Sequence, residues 1–137
     1  MIFNWKDYFL LAQQLVEKAN NSSIAEAMQR SAISRAYYSA FIGTLRYLEE
    51  NGLFIPNMDD KNSKHSAVIK MCEAGPERKL RSIGSSLRQL RHKRTQADYE
   101  DEFEKITEVV NLSISKAEKV QQLVDELSQK SNQPHKM

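Results

Sequence analysis

The chain of 137 residues has one cysteine, four glycines, three prolines and one tryptophan. A lone cysteine, Cys72, makes no internal disulfide and cannot by itself build a cysteine zinc site, which points to a reducing compartment. So few turn-forming residues argue against a sandwich or barrel, whose many short strands need them. Long hydrophobic runs are missing too. The longest uncharged apolar stretch, Ala36 to Leu45, is closed by Arg35 and Arg46 and is about half the length of a membrane span. The opening Met-Ile-Phe-Asn-Trp-Lys-Asp lacks the basic segment and apolar core of an export signal, so a cytoplasmic protein is expected. Charge of one sign is also scarce: 20 Lys and Arg face 18 Asp and Glu, a net +2. That balance excludes a histone-like basic chain and an acidic tail, and it names no partner.

What remains is 40% apolar and 28% charged residues, the composition of one compact helical domain. Five segments carry helical periodicity. Trp5, Tyr8, Phe9, Ala12, Leu15, Val16 and Ala19 share a face, and Asn20-Asn21 ends that run. Ser23 with Glu26 has the form of a capping box for a second helix of about 28 residues, stopping at Asn51-Gly52. Leu53 to Asn62, with Pro56 and Asp59-Asp60, reads as a loop. Ser63 to Ala74 is a short third helix with His65, Val68, Ile69 and Cys72 on its apolar face. Pro76 opens a fourth, striped by Leu80, Ile83, Leu87 and Leu90. Asp98 is placed as the cap of a fifth, lined by Tyr99, Phe103, Ile106, Val110, Ile114, Ala117, Val120 and Val124. The expected fold is all-α, an up-and-down bundle of four to five helices over residues 1–127, followed by a frayed tail over 128–137.

Three arginines interrupt this pattern. At about 100° per residue the stripe of the second helix holds Ile42, Met28, Ala27, Leu45 and Tyr38, and Arg35 falls inside it between Ile42 and Met28. Arg94 falls between Ile83 and Leu87 on the fourth, and Arg91 just beside Leu80. A guanidinium in apolar surroundings must be paired or meet a ligand, because stranding it there costs several kcal/mol. Two readings follow: Arg94 pairs with Asp98 while Arg35 snorkels or finds another acid, or Arg35, Arg91 and Arg94 line a phosphate cleft. From Arg78 to Arg94 there are seven Lys or Arg and no acid, and from Asp98 to Glu104 five acids and no base. A segregated run of this kind is either a solvated face or a binding surface for nucleic acid, nucleotide or protein. His65 reads as a core histidine, His92 as solvent-facing, and Cys72 as core packing. No metal-ligand spacing is present, and neither a metal nor another cofactor is expected.

Arg35-Ala-Tyr-Tyr-Ser-Ala-Phe41, His65-Ser and Arg94-Thr-Gln-Ala-Asp-Tyr99 together resemble a HEPN domain, over roughly Trp5 to Leu127. The likeness implies an up-and-down bundle that usually forms a homodimer. It also implies a role as an RNase using an R-x(4–6)-H motif without metal, or as a nucleotide-binding or noncatalytic helper, frequently paired with a small nucleotidyltransferase as toxin and antitoxin. By this resemblance Arg94 stands where the motif arginine stands. The sequence departs from the RNase pattern: Asp98 and Tyr99 occupy the positions four and five residues after Arg94, and His92 precedes it. The leading expectation is therefore a noncatalytic module binding a nucleotide, RNA or protein through Arg35, Tyr38, Arg88, Arg91, Arg94, Asp98 and Tyr99. The alternatives are a metal-independent RNase using Arg94 with Tyr99, His65 or His92 as acid–base residue, and a purely structural dimerisation protein.

Overall fold

The computed structural model describes residues 2–53 and 61–131. Among them stand five helices and no strand: α1 (Asp7–Ala19), α2 (Ala25–Glu50), α3 (Lys61–Glu73), α4 (Arg78–Tyr99) and α5 (Ile106–Ser131). The all-α bundle expected from periodicity is the observed architecture. α2 is its axle: it packs along α1, α5 and α4 and touches α3, while α3 is held chiefly by α4.

That central position corrects the sequence reading of α2. The expected stripe of Ala27, Met28, Tyr38, Ile42 and Leu45 is not the buried face: of these only Leu45 is buried. The core residues are Ala32, Ile33, Ala36, Tyr37, Ala40, Phe41, Leu45, Tyr47 and Leu48, spread around much of the helix. A helix enclosed by neighbours on several sides has no single apolar stripe, so a one-face count locates the wrong centre. The stripes of the outer helices hold within the helices themselves, but Tyr99 is the last residue of α4, Phe103 lies in the connector before α5 and Trp5 precedes α1. Leu80, Ile83, Leu87 and Leu90 are buried on α4, and Val110, Ala117, Val120 and Val124 on α5. Val68, Ile69 and Cys72 are buried on α3, and burial, with the nearby Glu73 charge, pushes the Cys72 thiol up to about 12. Hydroxyls inside the core bond their own helix: Ser39 and Thr44 donate to the carbonyls of Ala36 and Ala40, and Ser113 to Val109, at 2.8 to 2.9 Å. Small side chains can thus be enclosed without stranding a donor.

Helix ends were less legible. α2 stops as expected, with Gly52 at φ 66° and the amides of Gly52 and Leu53 returning to the carbonyls of Glu49 and Leu48, a Schellman closure that a glycine permits. Its start differs: the cap residue is Ile24 with no side-chain cap bond, so the Ser23–Glu26 box does not form, and Ser22 Oγ instead accepts from the Ile24 amide at 3.1 Å. Pro76 lies two residues ahead of α4 rather than in its first turn. The loop expected over Leu53 to Asn62 lies mostly outside the described residues, and its last two positions are helical, as the first two of α3. The tail expected from Ser128 starts too early, since α5 continues to Ser131; His135 lies outside the described residues. Asp98 belongs to the last turn of α4 and does not cap α5.

The break between α4 and α5 carries neither Gly nor Pro. It is set from α2, where Arg30 Nη1 donates to the carbonyls of Ala97 and Glu100 at 2.9 and 2.6 Å and Nη2 to Asp101 at 3.3 Å. The guanidinium also lies 5.7 Å from the Phe103 ring centroid. One cation thus serves the orphan carbonyls at a helix C-terminus, where positive charge is favoured. Lys105 then takes φ 54° to enter α5.

α3 seats against α4 at Gly84. A methyl placed there would stand 2.8 Å from the Glu73 amide nitrogen and 2.9 Å from Cys72 Cβ, whereas one on Gly43 in α2 would meet nothing within 4 Å. Gly84→Ala is therefore expected to destabilise the fold by about 1–3 kcal/mol through overpacking, while Gly43→Ala raises stability by about 0.5–1 kcal/mol through helix propensity. Chemical denaturation of the two variants checks both signs.

Candidate functional site

The flank of α2 that faces the C-terminal half of α4 gathers the charged and aromatic residues. Tyr38 is the hub. Its hydroxyl accepts a hydrogen bond from Arg94 Nη2 at 2.6 Å, and the carbons of two guanidiniums, Arg94 and Arg35, lie 5.1 and 5.9 Å from its ring centroid. Arg35 also stacks over Tyr8 of α1, 5.0 Å from that centroid. Cation–aromatic contacts of this kind contribute about 0.5–1 kcal/mol each near a surface. They explain how Arg35 tolerates half-burial on α2 without an acid: among the described residues it pairs with no carboxylate.

Arg94 has one. Its Nε lies 3.0 Å from Asp98 Oδ2, one turn on, with side chains 19% and 30% exposed. The pairing expected from the spacing therefore exists, but its geometry is poor: the buried Nε–H is aimed at no acceptor. Asp98 also stands at the negative end of α4, where an acid costs the helix a few tenths of a kcal/mol or more. The residue is thus placed where only Arg94 justifies it.

Behind the arginines lies an aromatic stack. His65 of α3 rests on Phe41 with ring centroids 4.3 Å apart and on Tyr37 at 5.7 Å, and Tyr38 meets it edge-on at 6.1 Å. The Tyr37 hydroxyl is 2.5 Å from His65 Nδ1. Burial raises the phenol pKa well above its ordinary value, against the opposing pull of Arg91 and Arg94, so Tyr37 stays protonated. Buried and bonded to no other group among the described residues, that hydroxyl can place its hydrogen only on an unprotonated Nδ1, which leaves His65 neutral with its hydrogen on Nε2. Burial, then the charges of Arg91, Arg94 and Lys64, lower the imidazole pKa to about 4. The reading of His65 as a satisfied core histidine fits, with one addition: it stands within the field of two arginines.

Of the other residues named from sequence, Arg91 lies close enough to Tyr37 and His65 for its charge to act on both, while Arg88, His92 and Tyr99 do not join the Tyr38 hub. Arg91 is half-buried on α4 and, with Ile69, Arg88, His92 and Thr95, lines a shallow depression of about 330 Å³ between α3 and α4. No carboxylate among the described residues pairs with it. Arg88 is engaged, its Nε and Nη2 gripping both oxygens of Glu73 at 2.8 and 2.6 Å, which holds the Glu73 carboxyl below its usual range. His92 is exposed. Tyr99 is 74% exposed and, five residues past Arg94, points about 140° away around the helix. The site thus reduces to Arg35, Tyr38, His65, Arg91, Arg94 and Asp98. The sequence marks Tyr8 only as part of the helix-one face and Tyr37 and Phe41 only as members of a motif, and it gives Arg30 no mark at all. Aromatic residues on α1 and α2 carry no periodic sign that they will support cations on another helix.

Three guanidiniums here face one carboxylate, beside a neutral imidazole. The arrangement suits an anion whose several oxygens can meet planar N–H forks. Among the described residues no group of three His, Cys, Asp or Glu could hold a metal. Neither the protein-family models, the curated proteins nor the solved structures contain a match to this chain.

The depressed His65 pKa has a defined consequence. Between about 4 and 6.5 the unfolded chain binds a proton at His65 that the folded chain refuses, so stability rises with pH across that window and is level above it. Lowering the pH from 6.5 to 4 should progressively destabilise the protein. His65→Gln, which offers Tyr37 an acceptor without titrating, should flatten that part of a denaturation midpoint-versus-pH curve; equal slopes would exclude the assignment.

Proposed function

We propose that this chain is a HEPN-like helical module that binds phosphate groups of a nucleotide or RNA without cleaving them, through Arg35, Arg91 and Arg94. The observation that carries the reading is the cation surplus around Tyr38 and His65. Two of the three arginines lack a carboxylate partner among the described residues, and the third keeps a buried donor unused. Desolvated guanidiniums without acceptors are costly, and a phosphate would satisfy them with charge-assisted bonds. The order of the sequence elements that resemble HEPN domains supplies the family part of the proposal.

The noncatalytic part rests on the acid–base groups. Of the three candidates for that role, Tyr99 points away from the cluster, exposed His92 shares only the Arg91 depression, and His65 alone packs against Tyr38, the partner of Arg94. His65 favours the second reading, a metal-independent ribonuclease, because a neutral imidazole can accept a proton. A pKa near 4, however, makes it a weak base at neutral pH, and its Nδ1 is already engaged by Tyr37.

Titration with ATP and with single-stranded RNA over a salt series is the direct test. Affinity is expected to fall as salt rises. Arg91→Ala should weaken binding about tenfold or more, as loss of a charge-assisted bond implies, and Arg88→Ala less, since Glu73 occupies its fork. Binding that is absent, or indifferent to Arg91→Ala, would sink the phosphate reading. Incubation with total RNA in EDTA should leave the RNA intact. Cleavage abolished by Arg94→Ala or His65→Gln and kept by Lys79→Ala would establish the ribonuclease instead.

A further inference from the structure

Between α4 and α5 lies a cleft of about 580 Å³ that Arg35, Arg91 and Arg94 do not line. Its floor is Leu90 of α4 with Val109 and Leu112 of α5, and Leu112 is 60% exposed in it. Ser113 also lines it, but its hydroxyl donates to the Val109 carbonyl at 2.8 Å and so adds no free polar group to the floor. The rim is cationic. No acid lines the cleft, while half-buried Lys93 and Lys116 enter it from α4 and α5. Neither lysine pairs with a carboxylate among the described residues. Arg88 stands beside them with its fork already closed on Glu73. A lysine stem can lie on apolar surface with its ammonium at the edge, so the free charge borders the floor rather than covering it.

We infer that this cleft binds a small amphiphilic anion, a monocarboxylate with an apolar body, whose carbons rest on Leu90, Val109 and Leu112 and whose charge meets Lys93 and Lys116. The volume falls within the range of small-molecule sites, about 300–1,000 Å³, which combine an apolar lining with a few polar groups that fix orientation. What adjoins the cleft argues against a longer occupant. Past Leu112 the groove continues toward the α4–α5 connector as a second depression, where Glu100, Glu102, Glu104 and Glu108 outnumber Lys93 and Lys105. An acidic helix or a nucleic acid strand laid along the groove would meet those glutamates, whereas a small anion stays within the basic half. An inorganic anion would leave the apolar floor wet, and a neutral oil would leave both lysines without a counter-charge. Only a ligand with both characters matches the whole lining.

The inference does not depend on phosphate binding, and the two fail separately. Titration of the full chain with butanoate, hexanoate and octanoate, followed by amide NMR shifts, tests it. Octylamine, an ammonium at neutral pH like a lysine side chain, is the control of opposite charge. Affinity is expected to rise about two- to fourfold per added methylene, and octylamine to bind at least about tenfold more weakly than octanoate. Leu112→Gln should weaken octanoate at least about fivefold while leaving ATP binding unchanged, and Arg91→Ala should do the reverse. The double variant Lys93→Glu, Lys116→Glu should lose octanoate and take octylamine in its place. Signals of α4 and α5 that stay unmoved at about 5 mM octanoate, an affinity independent of chain length, or a double variant that still prefers the carboxylate would each overturn the proposal.

Discussion

The bundle is arranged around α2, which packs against four other helices, so each polar group it buries needs a partner inside the protein. The demand is sharpest at Tyr37, which is fully buried. A phenol hydroxyl enclosed without an acceptor costs about 1–3 kcal/mol, and His65 Nδ1 is the acceptor. That single hydrogen bond sets which ring nitrogen of His65 carries the hydrogen and holds a neutral imidazole beside two arginines, on a helix that α4 seats. The smaller hydroxyls meet the same constraint by bonding back to their own helix, which is why Ser39 and Thr44 can sit in the core where a longer polar chain would not.

The arginines show how one residue type divides by context. Arg30 is wholly occupied, binding three carbonyls at the end of α4 and closing the α4–α5 corner. Arg88 is occupied by both oxygens of Glu73. Arg94 is half occupied, with a hydroxyl on one nitrogen, a poorly aimed carboxylate beside another and a buried N–H left over. Arg35 rests on tyrosine faces, which neutralise nothing. Around the aromatic stack, the guanidinium charge without a full acid partner is that of Arg35, Arg91 and Arg94; Arg78, Arg81 and Lys93 of α4 likewise pair with no carboxylate among the described residues. The near-neutral total conceals both this cluster and the run of five acids from Asp98 to Glu104 at the α4–α5 junction.

The sequence by itself determined the class of fold, the number of helices and the burial of the outer ones. A helix with one solvent face writes that face into its period, as Leu80, Ile83, Leu87 and Leu90 do for α4. It also determined the stop of α2, because Gly52 is the residue that enters the left-handed region without strain, and the Arg94–Asp98 pair, because four residues make one turn. Only the tertiary structure decided the core of α2, where enclosure erases the period, and the end of α4, where the signal is a side chain 67 residues upstream bonding the Ala97 carbonyl. It alone brought Tyr8, Tyr38 and His65 from three helices to the same arginines. The physical reason is range: capping, turn chemistry and periodicity act within a few residues, whereas burial and charge pairing answer to whatever the fold places nearby.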